Sequence, residues 1–273
     1  MSDAGWREKI AREIRVSPHG MELPPPEDKS NFCWIEVGAG HGEMTEFLVR
    51  SGAPVHAVEL DPALIERLQH LAPHHSNLTI VPGDVLRVDL RAIADGRRIR
   101  VYGNLPYYIT SPILHHFFSF ADLIDEIHIV IQLEVALRLT APPGGKLYGY
   151  LSVATQFYSR PEFVLKLPPG AFRPPPEVDS ALVTLRIPGP GSQSGVADAQ
   201  AFLEFVKTCF AQKRKTLANN LRPFAKPADV RELLKGLELR EDARAEQLDV
   251  AQFAAVYHAI SSAKPAGDPD SRT

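Results

Sequence analysis

The sequence predicts an α/β fold followed by a small all-helical domain, and three observations carry that expectation. Short runs rich in valine and isoleucine alternate with amphipathic segments over the first two thirds of the chain, as in a parallel sheet covered by helices on both sides. Beyond the proline- and glycine-rich stretch 188–195 the strand signal stops and only helical spacing remains. The length of 273 residues, 44% hydrophobic and 23% charged, suits one medium domain plus a small one and excludes a disordered or fibrous chain.

The elements follow in order. Trp6, Ile10 and Ile14 recur at four-residue spacing and predict a helix over 6–14. Pro24-Pro25-Pro26 and the polar residues 27–31 read as a linker. Cys33-Trp34-Ile35-Glu36-Val37 is a short strand ending in a glycine turn, with a helix starting within 44–50. Val55-His56-Ala57-Val58-Glu59 is a second strand, and Asp61-Pro62 supplies an N-cap and a first-turn proline for a helix through Leu71. Further strands are expected over 78–81, 99–102 and 127–131. A helix over 149–158 precedes two strands, 163–167 and 181–187, joined by a proline-rich loop. After the linker 188–195, helices are expected over 202–221, 229–237 and 250–260. The resulting division is a domain over 1–190, a helical domain over 198–262 and a disordered tail over 263–273.

Composition narrows the function classes. No apolar run approaches the roughly 20 residues that span a bilayer, and the first residues show no basic stretch leading into an apolar core, as a secretory signal requires. Cys33 and Cys209 lie too far apart for a metal motif or a disulfide framework, and read as two buried apolar thiols in a reducing, cytoplasmic setting. The adjacent pairs His74-His75 and His115-His116 have no ligand partner one helical turn away, so no metal is expected. Ser152 and Ser180 have no base and orienter for nucleophilic catalysis. The net charge is −3, yet residues 205–228 hold six cations (Lys207, Lys213, Arg214, Lys215, Arg222, Lys226) and no acid. Two readings of that segment stay open, a local polyanion contact and a solvated helix face. On one ideal helix Lys207, Arg214, Lys215 and Arg222 share a face, but Lys213 falls among the apolar residues, which predicts a break around 211–213.

The chemistry concentrates at strand ends. Gly38-Ala39-Gly40-His41-Gly42 follows the first strand, lets the chain turn sharply and lets a ligand approach the backbone. Glu43 stands where a dinucleotide-binding loop has its third glycine. Glu59 ends the next strand, where an acid can accept both hydroxyls of a ribose, and Gly83-Asp84 places a carboxylate after the third, near an adenine. Together these fit a nucleoside-containing cofactor across the carboxyl edge of the sheet. Asn104-Leu105-Pro106-Tyr107 follows the fourth strand. An exocyclic adenine amine is a poor nucleophile because its lone pair is delocalised into the ring. Acceptors around it, the Asn104 side-chain oxygen and the Leu105 carbonyl that no proline N–H can occupy, favour a pyramidal, nucleophilic nitrogen. Tyr107 is placed to stack on an extruded base. With a sulfonium electrophile no strong base is needed, since attack yields a cationic amine that sheds its proton.

These motifs resemble the ribosomal RNA adenine dimethyltransferase family, and most closely its bacterial small-subunit branch. The matching pieces run from Glu36 to Thr45, then Val58-Glu59-Leu60-Asp61, Gly83-Asp84 and Asn104 to Tyr107, and on to Phe172-Arg173-Pro174-Pro175-Pro176-Glu177-Val178-Asp179-Ser180 and Phe210-Ala211-Gln212-Lys213-Arg214-Lys215-Thr216-Leu217. The resemblance covers residues 6 to 262 and implies a Rossmann-like class I methyltransferase domain using S-adenosylmethionine, with no metal. It implies that Glu36, Gly38 and Gly40 bind the cofactor, Gly38 at its methionine end, with Glu59 on the ribose and Asp84 at the adenine. Asn104 would sit at the methyl-transfer centre, and Phe172 would face Tyr107 across the target base. The basic segment Lys207, Lys213, Arg214, Lys215 and Arg222 would contact RNA. The implied activity is N6,N6-dimethylation of two adjacent adenosines in the 3′-terminal hairpin of small-subunit RNA on the pre-30S particle, by a monomer. A large-subunit RNA adenine methyltransferase and a non-catalytic assembly factor are the alternatives. One departure concerns the G-Q-x-F-L segment that members carry ahead of the first helix, closing over the cofactor. Met1 to Gly5 lacks it, which leaves either a start codon assigned too far downstream or a form with an open lid.

Overall fold

The computed structural model describes residues 3–15, 31–106 and 109–263. The chain divides into two units, Met1–Leu137 with Arg160–Pro188, and Arg138–Ser159 with Gly189–Thr273. The expected linear division at 190–198 is therefore corrected, because 138–159 belongs with the C-terminal helices.

In the first unit α1 (Ala4–Glu13) is capped by the Asp3 carboxylate, which accepts from the Trp6 N–H. There follow β1 (Phe32–Val37), α2 (Thr45–Val49), β2 (Val55–Glu59), α3 (Pro62–Leu71), β3 (Leu78–Pro82), α4 (Leu90–Ala94), β4 (Arg98–Asn104), α5 (Thr110–Phe118), β5 (Ile124–Gln132) and α6 (Leu133–Leu139). Later in the chain come β6 (Arg160–Leu167) and β7 (Ser180–Arg186). The sheet order is β3-β2-β1-β4-β5-β7-β6. Neighbours among β1 to β5 are parallel, whereas β7 runs antiparallel to both β5 and β6. The expectation of a parallel sheet thus holds for five strands only. A loop without a crossover helix returns the chain from β6 to β7, and such a connection joins antiparallel strands. Ile10 and Ile14, Leu48 of α2, Leu68 of α3, and Trp34, Tyr102, Val130 and Leu182 from the sheet form one buried cluster. Helices α4, α5 and α6 are additions to the elements expected from sequence. The first and last are too short for a periodic signal, and α5 carries Pro112 in its first turn.

The second unit contains α7 (Tyr150–Tyr158), α8 (Ala199–Cys209), α9 (Leu217–Asn220), α10 (Pro227–Gly236) and α11 (Val250–Ala263). Its core joins Tyr148, Val153 and Phe157 to Phe202, Phe205, Leu217 and Phe253. The Phe157 and Phe202 rings lie 4.9 Å apart, and the Tyr148 hydroxyl donates to the Leu248 carbonyl at 2.9 Å. These contacts explain the insertion: α7 buries its apolar face only against helices that arrive much later in sequence. The stretch 188–195, read as a linker, is instead packed. A Cβ on Gly191 would come within 2.5 Å of the Phe157 backbone and ring, so glycine there permits close approach rather than flexibility. The expected break between 202 and 221 is present. Helix α8 stops at Cys209, and the buried Asn220 amide donates to the Cys209 carbonyl at 2.7 Å and the Gln212 carbonyl at 3.2 Å, closing the turn between α8 and α9. Helix α11 takes in Ala263, the first residue of the expected tail. The remainder of the tail, the linker at Pro24-Pro25-Pro26 and Tyr107 lie outside the described residues.

Candidate active site

Four parallel strands bring their carboxyl ends to one edge. Val37 pairs with Val58 on one side and Gly103 on the other, and Glu59 pairs with Pro82. Strand order reverses between β1 and β4, and in open α/β sheets the crevice at such a reversal is where ligands bind. The residues singled out in the sequence border it. Gly38 follows β1, Glu59 closes β2, Asp84 follows β3 and Asn104 closes β4. Gly38 and Gly40 take φ of +66° and +59°, left-handed values that L side chains adopt only with strain. The Gly38 N–H continues the ladder to the Val58 carbonyl at 2.9 Å, and a Cβ on Gly38 would lie 4.0 Å from the Asn104 carbonyl oxygen. The glycine loop and the end of β4 are thus in van der Waals range.

Glu59 is buried, and its carboxylate is largely occupied by backbone. Oε2 accepts from the Gly40 N–H at 2.8 Å, while Oε1 accepts from the N–H groups of Leu60 at 2.8 Å and Asp61 at 3.0 Å. A carboxylate offers about four acceptor positions, so one remains, on Oε2. Where the sequence suggested a partner for two ribose hydroxyls, the geometry gives Glu59 a second task, holding the glycine loop to the tip of β2. No sequence signal marks that task, because it depends on the loop folding back across the sheet edge.

Glu36 is buried at 2% exposure and accepts from the Thr45 hydroxyl at 2.5 Å. Burial pushes its pKa up to about 8, against the opposing effect of the Thr45 bond, so the side chain is mostly neutral at pH 7. It thereby ties β1 to the first residue of α2. Tyr102 is its neighbour across the β1–β4 pair, and burial together with the acids at Glu36 and Glu43 raises that phenol well above its ordinary value. Asp84 is half-buried and caps the short turn Val85–Arg87, accepting from the Leu86 N–H at 3.0 Å.

Asn104 is exposed at the end of β4. Leu105 buries its side chain and donates its N–H to the Val130 carbonyl at 3.0 Å. Pro106 then starts the turn into α5, its carbonyl accepting from the Ile109 N–H at 3.2 Å and the Thr110 hydroxyl at 3.3 Å. With the Leu105 N–H engaged and none on Pro106, neither of these two residues has a spare backbone donor. Phe172 ends the turn Pro169–Ala171 and is 8% exposed within the core cluster of the first unit.

The basic residues are distributed differently from a single stripe. Lys207, on α8, stands beside Glu204 at 3.5 Å, both exposed. Lys213, Arg214 and Lys215 occupy the exposed turn between α8 and α9, where the Lys213 ammonium donates to the Lys146 carbonyl at 3.0 Å. Lys215 and Arg222 line a cleft of about 160 Å³ with Gln212 and Asn219, and Arg222 donates to the Asn219 side-chain oxygen at 3.1 Å. Gln212 lies in the turn, within the matched motif, and Asn219 on α9; being uncharged, neither adds to the charge signal read from the sequence. Both cysteines are buried free thiols, and burial lifts Cys33 to about 11 and raises Cys209 further. Among the described residues no helix is long and apolar enough to cross a membrane, and no group of three or more His, Cys, Asp or Glu is placed to hold a metal.

Left-handed glycines against a strand end, an acid with one acceptor position open, and a second acid one strand over fit a nucleoside-bearing cofactor. With Asn104-Leu105-Pro106 at the end of β4, the fold and site define a class I S-adenosylmethionine-dependent methyltransferase. The family model described as Ribosomal RNA adenine dimethylase matches residues 23–262, and the chain belongs to that family of RNA adenine methyltransferases. It is 43% identical over 219 residues to the Ribosomal RNA small subunit methyltransferase A of Xanthomonas campestris pv. campestris (strain B100), covering 80% of this chain and 82% of the relative. The protein of the same name from Xanthomonas oryzae pv. oryzae (strain PXO99A) gives the same figures. Among solved structures, a dimethyladenosine transferase from Plasmodium falciparum superposes with a TM-score of 0.78 at 21% identity, covering 95% of this chain and 96% of that one. The 23S rRNA methyltransferase ErmE superposes at 0.70 with 24% identity, covering 96% and 99%. At those identities the two structures speak for the fold alone.

Proposed function

We propose that the chain transfers methyl groups from S-adenosylmethionine to N6 of two adjacent adenosines in the 3′-terminal hairpin of small-subunit ribosomal RNA, acting as a cytoplasmic monomer on the pre-30S particle. The observation that carries this reading is the placement of the exposed Asn104 at the end of β4, against the glycine loop and across the strand-order reversal from Glu59. When bound, the cofactor supplies an electrophilic methyl group on a sulfonium. Gly38 and Gly40 would let it approach the backbone beside Glu36, Glu59 would give its open acceptor to the ribose, and Asp84 would hold the adenine. At the target base, the Asn104 side-chain oxygen and the Leu105 carbonyl accept from the amine and favour the pyramidal nitrogen, with Pro106 withholding a competing donor. Tyr107 and Phe172 hold the ring by stacking. Bound there, the cofactor would supply its methyl group to that nitrogen, and the resulting cationic amine would lose its proton to solvent.

The first unit is the catalytic one in this reading, and the exposed cations Lys207, Lys213, Arg214, Lys215 and Arg222 of the second hold RNA phosphates. The small-subunit target is favoured over a large-subunit one by the names of the 43%-identical relatives and by the motifs at 172–180 and 210–217. The direct test maps N6,N6-dimethyladenosine in ribosomal RNA from a strain lacking the gene. Both marks are expected to vanish from the small-subunit hairpin and return on complementation. Loss confined to large-subunit RNA would overturn the assignment.

A further inference from the structure

The first unit holds a cavity of about 650 Å³ that the proposed methyl transfer itself does not use. Its walls come from the end of β5 and the start of α6 on one side and from the loop before β7 on the other. A bond from the Leu133 N–H to the Asp179 carbonyl at 2.9 Å and the pairing of Gln132 with Ser180 tie the two sides together. Leu133, Leu137, Pro169 and Val178 make it apolar, and Leu137 and Val178 remain 41% and 45% exposed, unusually open for such side chains. Glu134 and Glu177 stand at the same cavity, exposed. Asp179, which also lines it, is held by the Lys166 ammonium at 2.7 Å.

The position follows from the strand register. Asn104 pairs with Val130, and Gln132 lies two residues further along β5 on the same sheet face, so the cavity opens next to Asn104 on the side away from the cofactor loop. Among the described residues neither Asn104 nor Phe172 lines it, so it adjoins the target position without being it. Its lining sets apolar side chains beside carboxylates that only accept hydrogen bonds, with the Gln132 amide able to donate as well as accept. A phosphate would be repelled by these carboxylates, and an aliphatic chain would have no use for them. A nucleobase bearing an exocyclic amine satisfies both features, with its faces against the leucines and valine and its amine donating to a carboxylate.

We infer that this cavity is a subsite for the base next to the target adenosine, and that Glu134 and Glu177 select an amine-bearing base there. The inference rests on the RNA-adenine reading above and deepens it. While one base occupies the centre at Asn104, its neighbour is held in the adjoining slot, which fixes the register of the strand and keeps the second adenine within one nucleotide step of the same centre.

The test uses the full chain and short RNA hairpins with one methylatable adenosine. The nucleotide on its 5′ side, then on its 3′ side, is varied among cytidine, purine riboside and uridine, none of which is an adenine that the enzyme could methylate. The first bears an exocyclic amine and the other two have none. Both kcat/KM and hairpin Kd are measured, for wild type and for the Glu134→Ala/Glu177→Ala double variant. Losing a hydrogen bond to a charged acceptor is worth a factor of roughly 10. Wild type is therefore expected to prefer the amine-bearing neighbour by about 10-fold on one side, and the double variant to lose that preference while keeping its cofactor affinity. Leu137→Trp, at an exposed position that folding tolerates, fills the slot and is expected to erase the preference independently. An unchanged preference in both variants, or none in wild type, would overturn the subsite. So would a Lys/Leu-alternating decapeptide that bound wild type, failed to bind the double variant and left hairpin Kd unchanged, since the slot would then belong to a basic protein partner. Failure of the small-subunit reading would show separately, as intact dimethyladenosine in the deletion strain.

Discussion

At the carboxyl edge of the sheet the acids are buried and bonded to the chain itself. Glu59 holds three backbone N–H groups and Glu36 is neutral against Thr45. Around the turn between α8 and α9 the cations are exposed. Lys213 bonds a backbone carbonyl there, Lys207 a neighbouring acid and Arg222 a side-chain amide oxygen. Under the proposed function, the difference tracks the size and stiffness of what each region meets. A small cofactor is recognised by groups whose positions are over-determined, so that no reorganisation is needed on binding. A polyanion is recognised by charges on long side chains in water, each worth little alone, collectively strong and sensitive to salt. In the second unit the buried Asn220 amide shapes the turn that carries Lys213, Arg214 and Lys215.

Mutations break this comparison in order of expected effect. Asn104→Ala removes an acceptor from the reacting amine and is expected to cost about 2 to 4 kcal/mol, or ~30- to 1,000-fold in kcat, with cofactor Kd nearly unchanged. Single-turnover kinetics beside calorimetric titration separates the two, and near-normal turnover would remove Asn104 from the centre. Glu59→Ala does the reverse. It strands the N–H groups of Gly40, Leu60 and Asp61, is expected to destabilise the fold by about 1 to 3 kcal/mol, and weakens the cofactor before it slows chemistry. Denaturant unfolding with and without cofactor reads both effects.

In the second unit, replacing Lys213, Arg214 and Lys215 by glutamine is expected to leave unfolding and cofactor affinity alone. The log–log salt slope of RNA binding should fall by roughly 0.7 to 0.9 for each phosphate that the variant no longer neutralises. A slope equal to that of wild type would return this turn to the status of a solvated surface. The smallest effect at neutral pH belongs to Glu36→Gln, which copies the neutral acid. Between the ordinary 4.5 and about 8 the unfolded chain releases a proton that folded Glu36 keeps, so rising pH across that window lowers wild-type stability. Urea titrations at pH 5 and pH 8.5 should show a larger loss in wild type than in the variant, and equal losses would place the buried charge elsewhere.

Much of this protein is legible in its sequence because the signals are local. A glycine that must take positive φ, an acid at a strand end and a proline that withholds an N–H act within a few residues, so Gly38, Gly40, Glu59, Asp84 and Asn104 all stand at the sheet edge where the pattern puts them. The strands β1, β2, β4 and β5 are legible for the same reason, through runs of buried side chains. Tertiary structure alone decided which segments share a core. Residues 138–159 join helices that follow about forty residues later because Phe157 finds Phe202 there, and no periodicity reports a partner so distant. It likewise decided that 188–195 packs rather than links, that β7 inserts antiparallel between β5 and β6, and that Glu59 bonds the backbone of Gly40. Each of these is a contact between groups far apart in sequence. Its energy depends on the shape the rest of the chain has already taken, and a linear pattern holds no record of that shape.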